Sequence, residues 1–269
     1  MTIKTGIRCI AALLIMFLFP SYAPADSLSA YEIMKMTNDR DDGDNATSDM
    51  EMVLINRNGK KRVRKMKRFI KDFGKDVHSV IFFRAPANVE GTGFLSYDYD
   101  DTGKDDDQWL YLPALKKVKR IASSDKDSSF MGSDYTYGDM TKFALDSYHL
   151  KHIKEVAVRD HMTWLIEARP KTKAVIDTYG YKKILFFVRQ DNFMIVRAVK
   201  WMKEGARIRF MDTPIIEKID GIWTPVQMTV TTQKGKSVEH KTILNYSRIK
   251  FNQPISKNTF TTHQLKKGI

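Results

Sequence analysis

The chain has 269 residues, of which 45 are Lys or Arg and 32 Asp or Glu, giving a formal net charge of +13; it contains a single cysteine. A balance this basic draws a protein toward anionic lipid head groups or an acidic partner by long-range, salt-sensitive attraction. One cysteine excludes an internal disulfide, so stability has to come from burial and hydrogen bonding, and a metal site would have to use histidine and carboxylate.

Lys4 and Arg8 precede an apolar run over residues 10–19, and small residues at 23–25 follow. This is the pattern of a secretory signal peptide over residues 1–25, cleaved near Ala25 and Asp26. The run is well short of the ~20 apolar residues that span a bilayer, and no later stretch is long enough. Cys9 stands before the run and not at the cleavage point, so it is not placed for lipid modification. Loss of Lys4 and Arg8 lowers the formal charge from +13 to +11. Export to the periplasm argues against nucleic acid as the partner of the basic surface.

Residues 27–36 read as a short helix with Ser27 or Ser29 as N-cap, followed by a polar turn over 38–44. From Met50 the period changes to two: Met50, Met52 and Leu54 fall on one face, Glu51, Val53 and Ile55 on the other. Asn58-Gly59 is a hairpin signal leading to a basic strand over 60–71, and residues 73–75 turn into a third strand over 77–84. Gly91-Thr92-Gly93 opens another expected strand running through Tyr99, then come an acidic turn over 100–107 and strands at 109–113 and 118–121. Residues 121–139 form the longest irregular stretch, and a loop of that length is more often functional than incidental. One helical turn is expected over 140–145. Strand-like runs then recur at 153–158, 163–168, 184–189, 195–201, 207–211, 226–232 and 241–249, separated by turn residues.

Ten or more antiparallel strands must close, stack or curl. The expected fold is therefore mainly β, a single-domain antiparallel barrel or half-barrel spanning residues 26–269.

Catalytic chemistry is poorly represented. No Gly-x-Ser-x-Gly elbow occurs, the cysteine leaves with the leader, and Gly91-Thr92-Gly93 lacks the third glycine and lysine of a phosphate loop. No catalytic residue, metal or cofactor is assigned, although an enzyme acting through a clustered acid–base pair stays open. His149 and His152 converge on a metal only from a helix or bend. Asp98, Asp100 and Gly103 resemble the start of a calcium loop, but Trp109 stands where a bidentate glutamate is required.

Seven basic residues crowd positions 60–68. They read either as an edge strand protected by charge or as a docking surface for anionic lipid or a transporter, with Lys61, Arg62, Arg64 and Lys65 as the candidate contacts. The apolar and aromatic residues Met50, Met52, Leu54, Trp109, Tyr111, Phe130, Met194, Trp201 and Met211 are the candidate lining of a cargo pocket, methionine being flexible enough to suit differing chains.

Several stretches carry a resemblance: residues 38–44 (NDRDDGD), 107–115 (DQWLYLPAL), 118–121 (VKRI), 129–139 (SFMGSDYTYGD) and 219–225 (IDGIWTP), with a terminal segment over 260–265. Together they resemble the outer-membrane lipoprotein-sorting protein family, the LolA-like group often associated with transporters of the resistance-nodulation-division (RND) class. The resemblance implies an incomplete antiparallel β-barrel (a half-barrel) whose open side is covered by a short helical and loop lid, enclosing an apolar cavity for the acyl chains of a lipid or lipoprotein, with an inner-membrane RND-type transporter as partner. Trp109, Tyr111, Pro113, Arg120, Phe130, Gly132, Ser133 and Asp134 then either shape the cavity mouth or hold the long loop against the sheet. The alternative function is a docking module that carries nothing.

Overall fold

The computed structural model describes residues 28–101 and 103–269. The expected signal peptide, Ser27 and Thr102 lie outside the described residues.

Among the described residues, alternation of apolar and polar side chains builds thirteen strands: β1 Asn45–Asn56, β2 Lys61–Phe73, β3 Asp76–Ala85, β4 Gly93–Asp98, β5 Asp107–Leu112, β6 Lys117–Arg120, β7 Tyr148–Val158, β8 His161–Pro170, β9 Tyr181–Arg189, β10 Ile195–Met202, β11 Arg207–Ile219, β12 Ile222–Lys234 and β13 Ser237–Phe251. They form one antiparallel sheet in the order β6-β5-β4-β3-β2-β1-β13-β12-β11-β10-β9-β8-β7. Two meanders, β1–β6 and β7–β13, thus meet along a single long-range seam where Met50 faces Tyr246 and Met52 faces Leu244. Among the described residues β6 and β7 do not pair with each other, so the curled sheet is an open half-barrel. The expected fold class holds.

The first hairpin differs in detail from the two-residue turn read from Asn58-Gly59. Gly59 alone adopts positive φ (+76°), and the Asn56 side chain accepts from the Asn58 and Lys60 amides, both at 3.0 Å. The asparagine side chain mimics a turn of backbone and widens the loop.

Among the described residues three helices accompany the sheet: α1 Ala30–Asn38, α2 Lys173–Tyr179 and α3 Thr262–Lys267. Ser29 caps α1 and Glu32 reaches back to the Ser29 amide, a reciprocal capping box. α2 was not expected, because seven residues are too few to show a helical period. The single turn expected over 140–145 is replaced by two 3₁₀ turns, Tyr137–Met140 and Leu145–Ser147.

Directly paired residues of neighbouring strands project to the same face. Pairing therefore assembles a concave apolar face running from Leu110 and Phe94 through Phe83, Met66, Met50, Leu244, Val230 and Met211 to Phe186 and Ile166. The convex face carries a second, smaller core in which Val80, Phe82 and Leu95 are covered by Phe260 and Leu265 of the C-terminal segment. Gly93 permits this cover: a Cβ there would lie 2.6 Å from Leu265 Cδ1 and 3.2 Å from the Leu265 carbonyl oxygen.

Candidate functional site: a plugged concave face

Residues 121–147 cross the concave face of the half-barrel. The segment enters where the Ile121 amide donates to the Gln108 carbonyl (2.8 Å) and reverses tightly at Met131, whose φ is 51°. Phe130 is only 1% exposed. Its ring meets Phe94 edge-on at 5.0 Å between centroids and Tyr137 at 5.6 Å, arrangements that ring quadrupoles favour. Over the other half of the sheet, Ile33 and Met34 of α1 are fully buried with Tyr148, Ile166, Ala168 and Phe186. The hollow expected for a cargo is thus occupied by the chain's own aromatic plug.

Polar anchors fasten the plug. The Asp134 carboxylate accepts from the Thr232 and Thr242 hydroxyls (2.5 and 2.7 Å), lies 2.6 Å from His240 Nδ1, and its own amide donates to Thr242 Oγ1. Asp139 accepts from Lys200 Nζ at 2.7 Å, Tyr181 Oη at 2.8 Å and the Thr136 amide at 2.9 Å. Arg209 Nη1 donates to Tyr181 Oη at 2.9 Å. The Asp139 and Lys200 side chains are 11% and 14% exposed. Burial pushes Asp139 toward its neutral form, but Lys200 and Arg209 together hold its carboxyl below the usual carboxylate range. Burial likewise opposes the Lys200 charge, and Asp139 more than offsets it. Gln108 Nε2 donates to the Tyr137 carbonyl at 2.8 Å, and Arg64 donates to the Met131 carbonyl.

The Asp134–His240 pair is the kind of dyad that orients a catalytic base. His240 Nε2, however, is buried without a hydrogen-bond partner. Thr232 and Thr242, the hydroxyls nearest the dyad, both donate to Asp134. The pair therefore works as an anchor of the plug.

The sequence-predicted residues divide among several places. Met50, Met52, Leu54 and Phe130 come together in the concave core, with Met211 packed against it. Trp109 and Tyr111 lie on the convex side, against the Phe260 and Leu265 core. Trp201 also faces outward, with Lys183 Nζ 3.8 Å from its ring centroid, and Met194 is buried in the turn between β9 and β10. Among the basic residues, Lys61 and Lys65 project from the convex face, Arg62 is exposed at the concave rim, and Arg64 is turned inward onto the plug. His149 is exposed and His152 half-buried on β7; no group of three or more metal-ligating side chains is assembled among the described residues.

Lys200, Tyr181, Arg209, His240, Thr232 and Thr242 were not singled out from sequence. For two of them the signal was a charge inside an apolar strand, Lys200 between Val199 and Trp201 and Arg209 between Ile208 and Phe210; the other four carried none.

A family model described as "-like: Uncharacterized protein" matches residues 75–267. A DUF1329 family protein from Desulfovibrio piger is 30% identical, with 88% of this chain and 97% of that chain covered and a TM-score of 0.78. This chain belongs to the DUF1329 family. The DUF1329 fold described above also superposes on a putative outer membrane lipoprotein-sorting protein domain from Vibrio parahaemolyticus, 28% identical, covering 88% and 98% of the two chains with a TM-score of 0.79. A LolA superfamily protein from Nitrosomonas europaea, 17% identical over 88% of this chain and 100% of that one, shares the fold at a TM-score of 0.66. No curated protein matches the chain.

Proposed function

We propose that this DUF1329 protein is a periplasmic carrier, a unit over residues 26–269 following a signal peptide at 1–25, which shelters the acyl chain of a lipid or lipoprotein between the concave face and the plug. The observation that carries this reading is a largely apolar concave face that spans the curled sheet and is covered by an irregular segment and helix α1 instead of another sheet. A likeness in fold to lipoprotein-sorting and LolA superfamily proteins supports it. Each buried methylene contributes about 0.8 kcal/mol, so a long chain has enough apolar surface to displace an aromatic plug. Entry and release are then one event read in two directions: the plug leaves the sheet and returns to it.

Protein purified from a periplasmic extract should bring acyl species with it in native mass spectrometry and lipid extraction, and the emptied protein should take up a fluorescent fatty acid. A protein that is always empty and takes up no probe refutes the carrier.

The filled concave face favours a second reading, an adaptor that docks on an inner-membrane transporter, with the RND class as the proposed partner, and carries nothing. Lys61, Arg62 and Lys65 are the exposed basic residues to reverse; Arg64 is left intact because its loss would free the plug. Under the carrier reading the triple Glu variant keeps probe uptake, whatever becomes of docking on a transporter or an anionic surface. Under the adaptor reading it loses complex formation, and neither variant nor parent takes up probe.

A further inference from the structure

Lys200, Arg209, Thr232 and His240 stand in one row across β10, β11, β12 and β13, each the direct partner of the next. The plug covers both parts of this row, Asp139 on Lys200 and Asp134 on Thr232 and His240. Beside them opens a cleft of about 250 Å³ whose walls include Gly132, Ser133, Arg207, Arg209, Thr232 and His240.

The hydrogen-bonding capacity left over in this cleft suits an anion. Arg209 is 6% exposed, and its Nε is buried with no partner while Nη1 is committed to Tyr181. His240 Nε2 is also buried and unpartnered. Asp134 and Glu239 also line the cleft, but both carboxylates are occupied, Asp134 by Thr232, Thr242 and His240, and Glu239 by Arg207 at 2.7 Å. The network of Lys200, Tyr181 and Arg209 holds two cations and one carboxylate, Asp139. A buried guanidinium N–H without an acceptor is costly, and an oxyanion would supply one. His240 Nε2 can accept from a protonated phosphate oxygen or, as imidazolium, donate to an ionised one.

We propose that this cleft receives the anionic head group, phosphate or carboxylate, of the amphiphile whose tail lies under the plug, with Arg209 and His240 as the recognising side chains. The proposal rests on the carrier reading and names its substrate class. The row places the head at the end of the hollow where the β10–β11 and β12–β13 hairpins turn, and the apolar face leads away from it toward Met211 and Leu244.

The full mature chain is loaded with the neutral dye N-phenyl-1-naphthylamine and titrated with dodecyl phosphate, dodecanol or inorganic phosphate. Dodecyl phosphate should displace the dye at concentrations about tenfold or more below dodecanol, the worth of a charge-assisted hydrogen bond. Arg209→Gln should erase most of that preference; because the change also loosens the Tyr181–Asp139 anchor, the readout is the ratio of the two displacement concentrations, which a loosened plug alone leaves unchanged. Because this variant could unfold, the imidazole ¹⁵N resonances of His240 in the unmodified protein are followed as well; dodecyl phosphate should move them far below the concentration at which inorganic phosphate does. Equal displacement by both amphiphiles overturns the head-group site and leaves the carrier standing. Displacement by neither overturns both. Inorganic phosphate matching dodecyl phosphate at His240 overturns the head-group assignment in favour of a free-anion site.

Discussion

Asp139 is the residue whose replacement should test the plug most directly. In Asp139→Asn the carboxylate shared by Lys200, Tyr181 and Arg209 becomes a neutral amide, and two buried cations lose their counter-charge. Breaking a buried pair by removing one partner costs about 3–5 kcal/mol, because the other charge stays uncompensated. Lys200→Met is expected to cost less, about 1–2 kcal/mol, since Asp139 keeps the Tyr181 hydroxyl, the Thr136 amide and the Arg209 charge close by. Combining the two changes removes the stranded amine, so the double variant should be more stable than Asp139→Asn alone, a coupling that simple addition of the single costs forbids. Urea unfolding followed by tryptophan fluorescence measures all three, and hydrogen exchange locates the loss: amides of residues 123–140 should lose protection first, ahead of the β1–β13 seam. An Asp139→Asn variant within about 1 kcal/mol of the parent, or a double variant showing additive losses, would refute the reading of this pair as a buried anchor.

Three further outcomes follow from the same structure. Burial, reinforced by the charge of Asp106, raises Asp98 to about 6; its neutral form is favoured in the folded state, so stability falls as pH rises from the ordinary carboxylate value to about 6 and is flat above. Asp98→Asn should therefore raise stability by about 2–3 kcal/mol at pH 7.5 and change little at pH 4, as thermal melts at the two pH values will show. Gly93→Ala should force α3 off the convex sheet at a cost of about 1–3 kcal/mol, read as faster proteolysis of the C-terminal segment and altered Trp109 emission. In a series of saturated fatty acids, each added pair of methylenes should tighten binding by about 1.6 kcal/mol, roughly fifteenfold, until the hollow is filled; affinity independent of chain length would contradict burial under the plug.

How much of this was legible in the sequence depends on the range over which each feature is decided. Strand existence is local: alternation at Met50, Met52 and Leu54 and turn residues between runs located most of the meander, and the Ser29 cap needed only Glu32 three residues on. Which side of the sheet a strand shows to the hollow is not local. Trp109 and Tyr111 look as apolar as Leu110 and Leu112, and pairing with β4 alone turns them to the convex face. Arg64 reads as one more charge in a basic strand, yet its register against Met52 carries it inward to the plug. Lys200 and Arg209 are interpretable only with Asp139 in place, an acceptor brought from another part of the chain. The long loop was readable as functional from its length and composition, but its contacts with Thr232, His240 and Thr242 span about a hundred positions that no periodicity reports.

Under the proposed carrier function the plug also changes what affinity means. An empty apolar hollow of this extent would be an aggregation hazard, since large contiguous exposed apolar patches on soluble proteins mark sites that associate. Phe130, Tyr135 and Tyr137 cover it at 1%, 7% and 8% exposure, and burying three such rings contributes roughly 5–9 kcal/mol. An acyl chain of about fourteen methylenes brings about 11 kcal/mol by the same measure. Cargo binding is then an exchange of one apolar occupant for another, and the net affinity is the small difference between two similar quantities. The hollow itself contributes equally to both states and cannot set that difference. The polar anchors can, because they exist only when the plug is seated. Whatever Asp134 and Asp139 add to plug stability must be subtracted from cargo affinity, so weakening an anchor should destabilise the empty protein and tighten cargo binding by comparable amounts.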